Sequence, residues 1–318
     1  MNEISINILS DNLDSPSVSD LKCEHGLSML IKAKEATILC DTGASEIFSH
    51  NATRLGLDLD NIDFAFLSHG HSDHTGGLGA LLEKWSPLKN FRDKKIYASR
   101  AIFNEYYFSG RRGYWRAMST DHSLLKEYPD NFILIEEPSE VNQPQGMWIT
   151  PSIAIVSNGC HKWSRPYGNI YLTRQPAANG LSHLTADPTT LLPDNFQHEL
   201  SLAILTTKGL VIISSCSHCG ALNIMESCMD FTGEKRVAAF IGGLHFIDSP
   251  EIENEVETFA RQLHIFFDNG VQDSAQLPVS ATVPRIITGH CTCNKAKELL
   301  AKKIPGIEFF YTGAEITM

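Results

Sequence analysis

Short apolar runs bounded by turn residues recur at both ends of the chain. Glu3–Leu9 (EISINIL), Leu27–Ala33 (LSMLIKA) and Ala36–Gly43 (ATILCDTG) alternate or run apolar. They predict three early strands, the last two paired as a hairpin. Ser45–Gly56 opens on a capping serine and stops at a glycine, which predicts a helix. Ile62–Leu67 is an apolar run broken by Gly70 and predicts a buried strand. A helix over Leu78–Trp85 and a strand over Lys94–Ser99 follow.

The late half alternates more regularly. Glu199–His218 predicts a hairpin, with a strand to Leu205, a turn at Lys208–Gly209 and a strand to Ser215. Then come a helix over Ala221–Asp230, a strand over Arg236–His245, a helix over Glu251–Gly270, a strand with a polar tip over Val283–Cys293 and a helix over Asn294–Ile304. A strand-rich early half and a strand–helix late half predict an α/β chain, with two sheets face to face and helices outside: an αββα four-layer sandwich. The stretch from about 100 to 195 is different. It is irregular, holds most of the prolines, and carries short strands such as Asn131–Glu137 and Ile153–Ser157. The expected organisation is one domain over 1–318 with a lid-like insertion there.

Composition narrows the classes. With 318 residues, 42% apolar and 20% charged, the chain is long enough for a sizeable core and ordinary for a soluble protein. No apolar run approaches the roughly 20 residues that span a bilayer. The start, MNEISINILSDNLD, lacks a basic segment followed by an apolar one, so no signal peptide and a cytoplasmic location are expected. A net charge of −11 argues against nucleic acid or an anionic membrane as partner. Without a secretory signal, the eight cysteines are expected as thiols. Cys216, Cys219, Cys291 and Cys293 could make a four-cysteine structural zinc site, but each pair has a histidine in or beside it, which suits the rim of a functional site better.

Candidate chemistry gathers where apolar runs end. SHGHSDHTGG (Ser68–Gly77) sets three histidines and an aspartate within six residues, in a chain with 13 histidines in all. Asp41, His218, His245 and His290 also follow apolar runs. One histidine after a strand is usually structural. Several at the mouths of core strands point to a shared site. His69 and His71, two apart, face the same way in an extended segment and can pinch one cation. Asp73 and His74 follow where the chain turns into a helix, aimed at a second. Gly76 and Gly77 allow a tight turn and close backbone approach. Two ions about 3.5–4 Å apart can hold a bridging hydroxide and clamp both the attacking and the leaving oxygen. The donors suit zinc, with manganese or iron as alternatives.

HGHSDH resembles the HxHxDH signature of the metallo-β-lactamase fold, and the DTG at Asp41 resembles the aspartate-bearing turn upstream of it. CEHGLSMLI, ILCDTG, SSCSHCGALNI, IGGLHF and TGHCTC look like one branch of that superfamily. The branch is named for 7,8-dihydropterin-6-methyl-4-(β-D-ribofuranosyl)aminobenzene 5′-phosphate synthase, and many of its members are called only metal-dependent hydrolases. The resemblance covers roughly 20–100 and 198–318. It implies one or two divalent metals, with His69 and His71 on the first, Asp73 and His74 on the second, and His290 as last ligand on the second. Asp41 would orient a ligand histidine. The usual GHT motif and bridging aspartate are not in standard form. Ser215-Cys216-Ser217-His218 stands where that aspartate is expected, making His218 the favoured ligand there and His198 a weaker one. His245 is open between ligand, substrate contact and structural residue.

Glu24 and His25 match the branch's early loop and would line the pocket or fix the hairpin beside it. Arg111, Arg112, Tyr114 and Trp115 lie in an aromatic–arginine patch from Phe103 to Arg116. That patch would stack on a flat heterocycle and grip a phosphate or carboxylate, or serve as a lid or homodimer contact. The leading expectation is hydrolysis of an ester, lactone or phosphoester by a metal-bound hydroxide on a small-molecule substrate, with Asp73, Asp41 and His245 as the catalytic set. A synthase-like transfer in pterin biosynthesis is the alternative. Two-iron redox chemistry and a non-catalytic metal-binding protein are weaker readings.

Overall fold

The computed structural model describes residues 4–109, 115–136, 144–175, 191–269 and 283–318. They form two compact units, one built from Met1–Glu137, Asn169–Leu200 and Phe310–Met318, the other from Pro138–Gly168 and Ser201–Phe309.

The sheet of the first unit has seven strands, in the order Glu315–Thr317, Ile4–Ser10, Ser28–Ala33, Thr37–Cys40, Phe64–Phe66, Lys95–Ser99 and Phe132–Ile135. Pairing is antiparallel through Thr37–Cys40 and parallel beyond it. The expected hairpin is present, with Lys32 opposite Thr37. Helix Leu78–Trp85 places Leu78, Leu81, Leu82 and Trp85 at helical spacing into one core with Leu30, Leu39, Ala65, Leu67 and Ile96. Helix Ile47–Arg54 adds Phe48 and Ala52 to that core. Its N-cap is Glu46, one residue past the serine expected to cap it. The Ser45 hydroxyl still accepts from the Ile47 amide at 3.3 Å. Gly56 ends the helix with φ +67°, a left-handed conformation that glycine adopts without a Cβ clash.

The sheet of the second unit runs Glu308–Phe309, Arg285–Thr288, Val237–Ile241, Gly209–Ile213, Leu200–Thr206, Ile153–Ser157 and Gly146–Thr150. Gly209–Ile213, Val237–Ile241 and Arg285–Thr288 are neighbours and parallel, with Ile213 opposite Ile241 and Ile241 opposite Ile287. Helices Ala221–Thr232, Ile252–Asn269 and Asn294–Lys303 fall where the apolar periodicity predicts them.

The stretch expected to be irregular holds more order than its sequence suggests. Leu192–Pro193, Leu172–Arg174, Tyr106–Ser109 and Trp115–Ala117 form a four-stranded antiparallel sheet in the first unit. These strands are two to four residues long, too short for alternation to register in a sequence window. Among the described residues, no helix is long and apolar enough to cross a membrane.

Candidate metal centre

In the first unit, parallel pairing of Thr37–Cys40 with Phe64–Phe66 sets their carboxyl ends side by side, Cys40 opposite Phe66. Asp41 leaves one end and Ser68-His69 the other, so residues 27 positions apart become neighbours. The chain then places His71 at the start of the one-turn helix Ser72–Thr75, and an isolated bridge pairs His71 with Ser119. His69 and His74 are wholly buried and His71 is 2% exposed. Ring centroids of His69 lie 4.6 Å from His71 and 4.2 Å from His74. Gly76 and Gly77 serve close approach rather than a special turn, since both have negative φ. A Cβ at Gly76 would lie 2.2 Å from the Ala44 carbonyl oxygen, and one at Gly77 2.3 Å from that of Thr42. The loop thereby lies directly on the DTG turn.

The hydrogen bonds fix which nitrogen of each ring carries its lone pair. Asp41 Oδ1 accepts from the Ser68 amide at 2.7 Å, and Oδ2 accepts from the Ser68 hydroxyl at 2.6 Å. Because the one hydroxyl proton of Ser68 goes to Asp41, Ser68 Oγ accepts from His69 Nδ1 at 2.8 Å. His74 Nδ1 donates to the same Asp41 Oδ2 at 2.8 Å. Both rings are therefore protonated on Nδ1 and present Nε2 as donor to a cation. This is how a hydrogen-bonded carboxylate orients ligand imidazoles. His71 is approached by a different carboxylate: its Nε2 lies 3.5 Å from Asp194 Oδ2.

Asp194 carried no signal in the sequence. It follows Pro193 in an irregular stretch, far from any motif, yet its side chain is wholly buried. It also accepts from His198 Nε2 at 3.0 Å, while His198 Nδ1 accepts from the Gly70 amide at 2.8 Å. Both ring nitrogens of His198 are thus engaged within the protein. Tyr106 stacks on that ring at 4.1 Å.

Burial, then the neighbouring imidazoles of His74, His71 and His198, holds His69 well below the usual histidine range. Burial also lowers His71, against the opposing pull of Asp194. For His74 burial acts in the same direction, but Asp73 and Asp41 together outweigh it and raise the group. Burial would raise Asp194, and the His198 and His71 partners overcome it, holding the carboxyl far below its usual range. Burial thus favours the neutral, lone-pair-bearing form of His69 and His71, while the carboxylates favour positive charge at His74, and imidazoles beside fixed carboxylates are a donor set suited to a divalent cation.

Asp73 Oδ2 lies 3.7 Å from His74 Nε2 and 3.4 Å from His25 Nε2. His25 is half-exposed, and its Nδ1 meets Asn12 Nδ2 at 2.9 Å. Glu24 lies beside the DTG turn. Its carboxylate accepts from Ser45 Oγ at 2.6 Å, the Ala44 amide at 3.0 Å and Ser10 Oγ at 3.1 Å, clasping the segment after Asp41. Arg111, Arg112 and Tyr114 lie outside the described residues, and Trp115 is described only by its backbone pairing with Ser109.

In the second unit the three parallel strands release three tips side by side: Ser214–His218, Gly242–His245 and Gly289–Cys293. Such carboxyl ends are where open α/β sheets bind ligands. His218 and His245 stack with centroids 4.2 Å apart. His290, Cys216 and Cys291 are buried, and their donor atoms lie within 4.8 Å of one another. Cys219 and Cys293 fall in no such group among the described residues, so the geometry does not assemble a four-cysteine site. Ser217, His245 and His290 all have positive φ, 62°, 51° and 47°. Non-glycine residues are strained there, and such strain concentrates at functional sites.

Comparison with known proteins agrees with the motifs. Residues 21–101 match the model of the metallo-beta-lactamase superfamily. A 7,8-dihydropterin-6-methyl-4-(beta-D-ribofuranosyl)-aminobenzene-5'-phosphate synthase of Methanocaldococcus jannaschii is 27% identical over 288 residues, 88% of this chain and 85% of that protein. Among solved structures, a metal-dependent hydrolase of the beta-lactamase superfamily superposes with TM-score 0.70 at 23% identity, over 99% of each chain. Human tRNase Z, short form, gives TM-score 0.51 at 12% identity over 98% of each chain.

Proposed function

Because this chain has the metallo-β-lactamase fold and its residues 21–101 match that superfamily, we propose that it is a metal-dependent hydrolase of an ester, lactone or phosphoester. Its ligands would be His69, His71, Asp73, His74, His218 and His290, holding one or two divalent ions, with zinc preferred. The observation that carries the reading is the Asp41–Ser68–His69 chain together with the Asp41–His74 bond. A merely structural histidine needs a partner. It does not need two neighbouring rings both anchored on Nδ1 through one carboxylate, so that Nε2 of each is presented as a donor.

When bound, such ions supply Lewis acidity toward a substrate oxygen and make water a ready nucleophile at neutral pH. The chain's own residues supply orientation. Asp41 holds two rings in one tautomer, Asp194 faces a third, and Glu24 fixes the turn that carries Asp41. Asp73 and half-exposed His25 would form a polar edge at which a small-molecule substrate is gripped.

The test is metal analysis of purified protein, with turnover on a panel of lactones, phosphodiesters and pterins before and after chelation. The expected result is turnover of an ester-type substrate that is lost on chelation, restored by zinc and absent in His69→Ala. Turnover indifferent to chelation would sink the reading. A second reading follows from the name of the Methanocaldococcus relative: a synthase-like transfer on a phosphorylated pterin precursor. Product formation from such a precursor without net hydrolysis would select it.

A further inference from the structure

We propose that Cys216 and Cys291 are thiolate ligands that join His290 on a zinc ion, making a sulfur-bearing metal position at the strand tips of the second unit. The inference rests on the metal-centre reading above only in taking His290 as a ligand.

Four observations in the second unit carry it. The two Sγ atoms and a His290 ring nitrogen come within 4.8 Å of one another from two separate strand tips, and all three residues are buried, at 3%, 2% and 4% exposure. The Cys291 sulfur accepts from the His245 amide at 3.3 Å and donates to the Cys216 carbonyl oxygen at 3.6 Å, which ties it to the other two strand tips. Gly243 keeps the space beside that sulfur open, since a Cβ there would stand 2.3 Å from Cys291 Sγ. Lastly, His290 holds φ +47°, a conformation uncommon for a residue with a side chain, and such strain concentrates at functional sites. Two soft donors and an imidazole suit zinc and disfavour manganese or magnesium, which take oxygen ligands. Thiolate sulfur and imidazole nitrogen are the donors that zinc sites commonly combine.

The proposal is tested on full-length protein under reducing conditions. X-ray absorption at the zinc edge should show sulfur scatterers at about 2.3 Å. Cobalt substitution should give a near-ultraviolet sulfur-to-metal charge-transfer band. The band should fall to about half in Cys216→Ser and in Cys291→Ser, because each removes one of two thiolates, and should persist in Cys219→Ser and Cys293→Ser. Circular dichroism identifies a variant that fails to fold, and the zinc-edge measurement on the unaltered chain needs no variant. Only nitrogen and oxygen scatterers, no charge-transfer band, or no uptake of either metal would overturn the proposal. Its failure is distinguishable from that of the hydrolase reading. Sulfur ligation without turnover on any ester keeps this inference and loses that one; turnover with only nitrogen and oxygen scatterers does the reverse.

Discussion

The histidine loop of the first unit and the cysteine-bearing tips of the second place donors at strand ends by different means. In the loop, side chains aim side chains. Asp41 anchors two rings, Asp194 faces a third, and every anchor is a buried carboxylate or a hydroxyl bound to one. In the tips, backbone does more of the aiming. His245 and His290 themselves sit at positive φ, and the Cys291 sulfur is met by a main-chain amide. A rim aimed by carboxylates should be sensitive to charge, and a rim aimed by backbone should be sensitive to volume.

The largest effect is expected at Asp41. Asp41→Ala leaves the Ser68 amide, the Ser68 hydroxyl and the His74 ring without their acceptor in a wholly buried place. Breaking such a buried charged network costs ~3–5 kcal/mol, read by denaturant unfolding. Asp41→Asn keeps the shape but cannot accept from every donor, and metal affinity should fall roughly 10–100-fold in a chelator competition. Next is Asp194→Asn, which removes one anchor from His71 and one from His198. Its stability loss should be ~1–3 kcal/mol, with weaker metal retention than the unaltered chain. An Asp194→Asn protein with unchanged retention would break the claim that this carboxylate orients a ligand.

Gly243→Ala probes the other rim by volume alone. The new methyl meets Cys291 Sγ at 2.3 Å and the Ser215 carbonyl oxygen at 2.7 Å, and overpacking of this kind costs ~1–3 kcal/mol. If a charge-neutral methyl here left both melting temperature and metal content unchanged, the contrast between the rims would fail. The smallest effect separates rim from body within the second unit. Burial, then the Glu226 hydrogen bond, pushes the Cys160 thiol up to about 11, and burial pushes Cys228 to about 12. A raised thiol stays protonated and unreactive at neutral pH. Half-buried Cys293 should therefore alkylate before either, as read by peptide mass spectrometry.

The sequence alone determined the strands and helices with long apolar periodicity, and the tips that end them. Leu78–Trp85 and Ala221–Thr232 are legible because four or more buried residues recur at helical spacing within one window, and Asn294–Lys303 because Ala296 and Leu300 stand four apart among polar residues. His69, His71, Asp73 and His74 are legible because ligands for one cation can be packed into a single turn of chain. Only tertiary structure could decide the rest. Asp194 meets His71 across more than a hundred residues, Asp41 meets Ser68 because two parallel strands pair in one register, and Cys216 meets Cys291 because three strands end side by side. Local pattern encodes the period of a segment. Which distant carboxylate or thiol it will face is set by sheet order and register, which no single window of sequence contains.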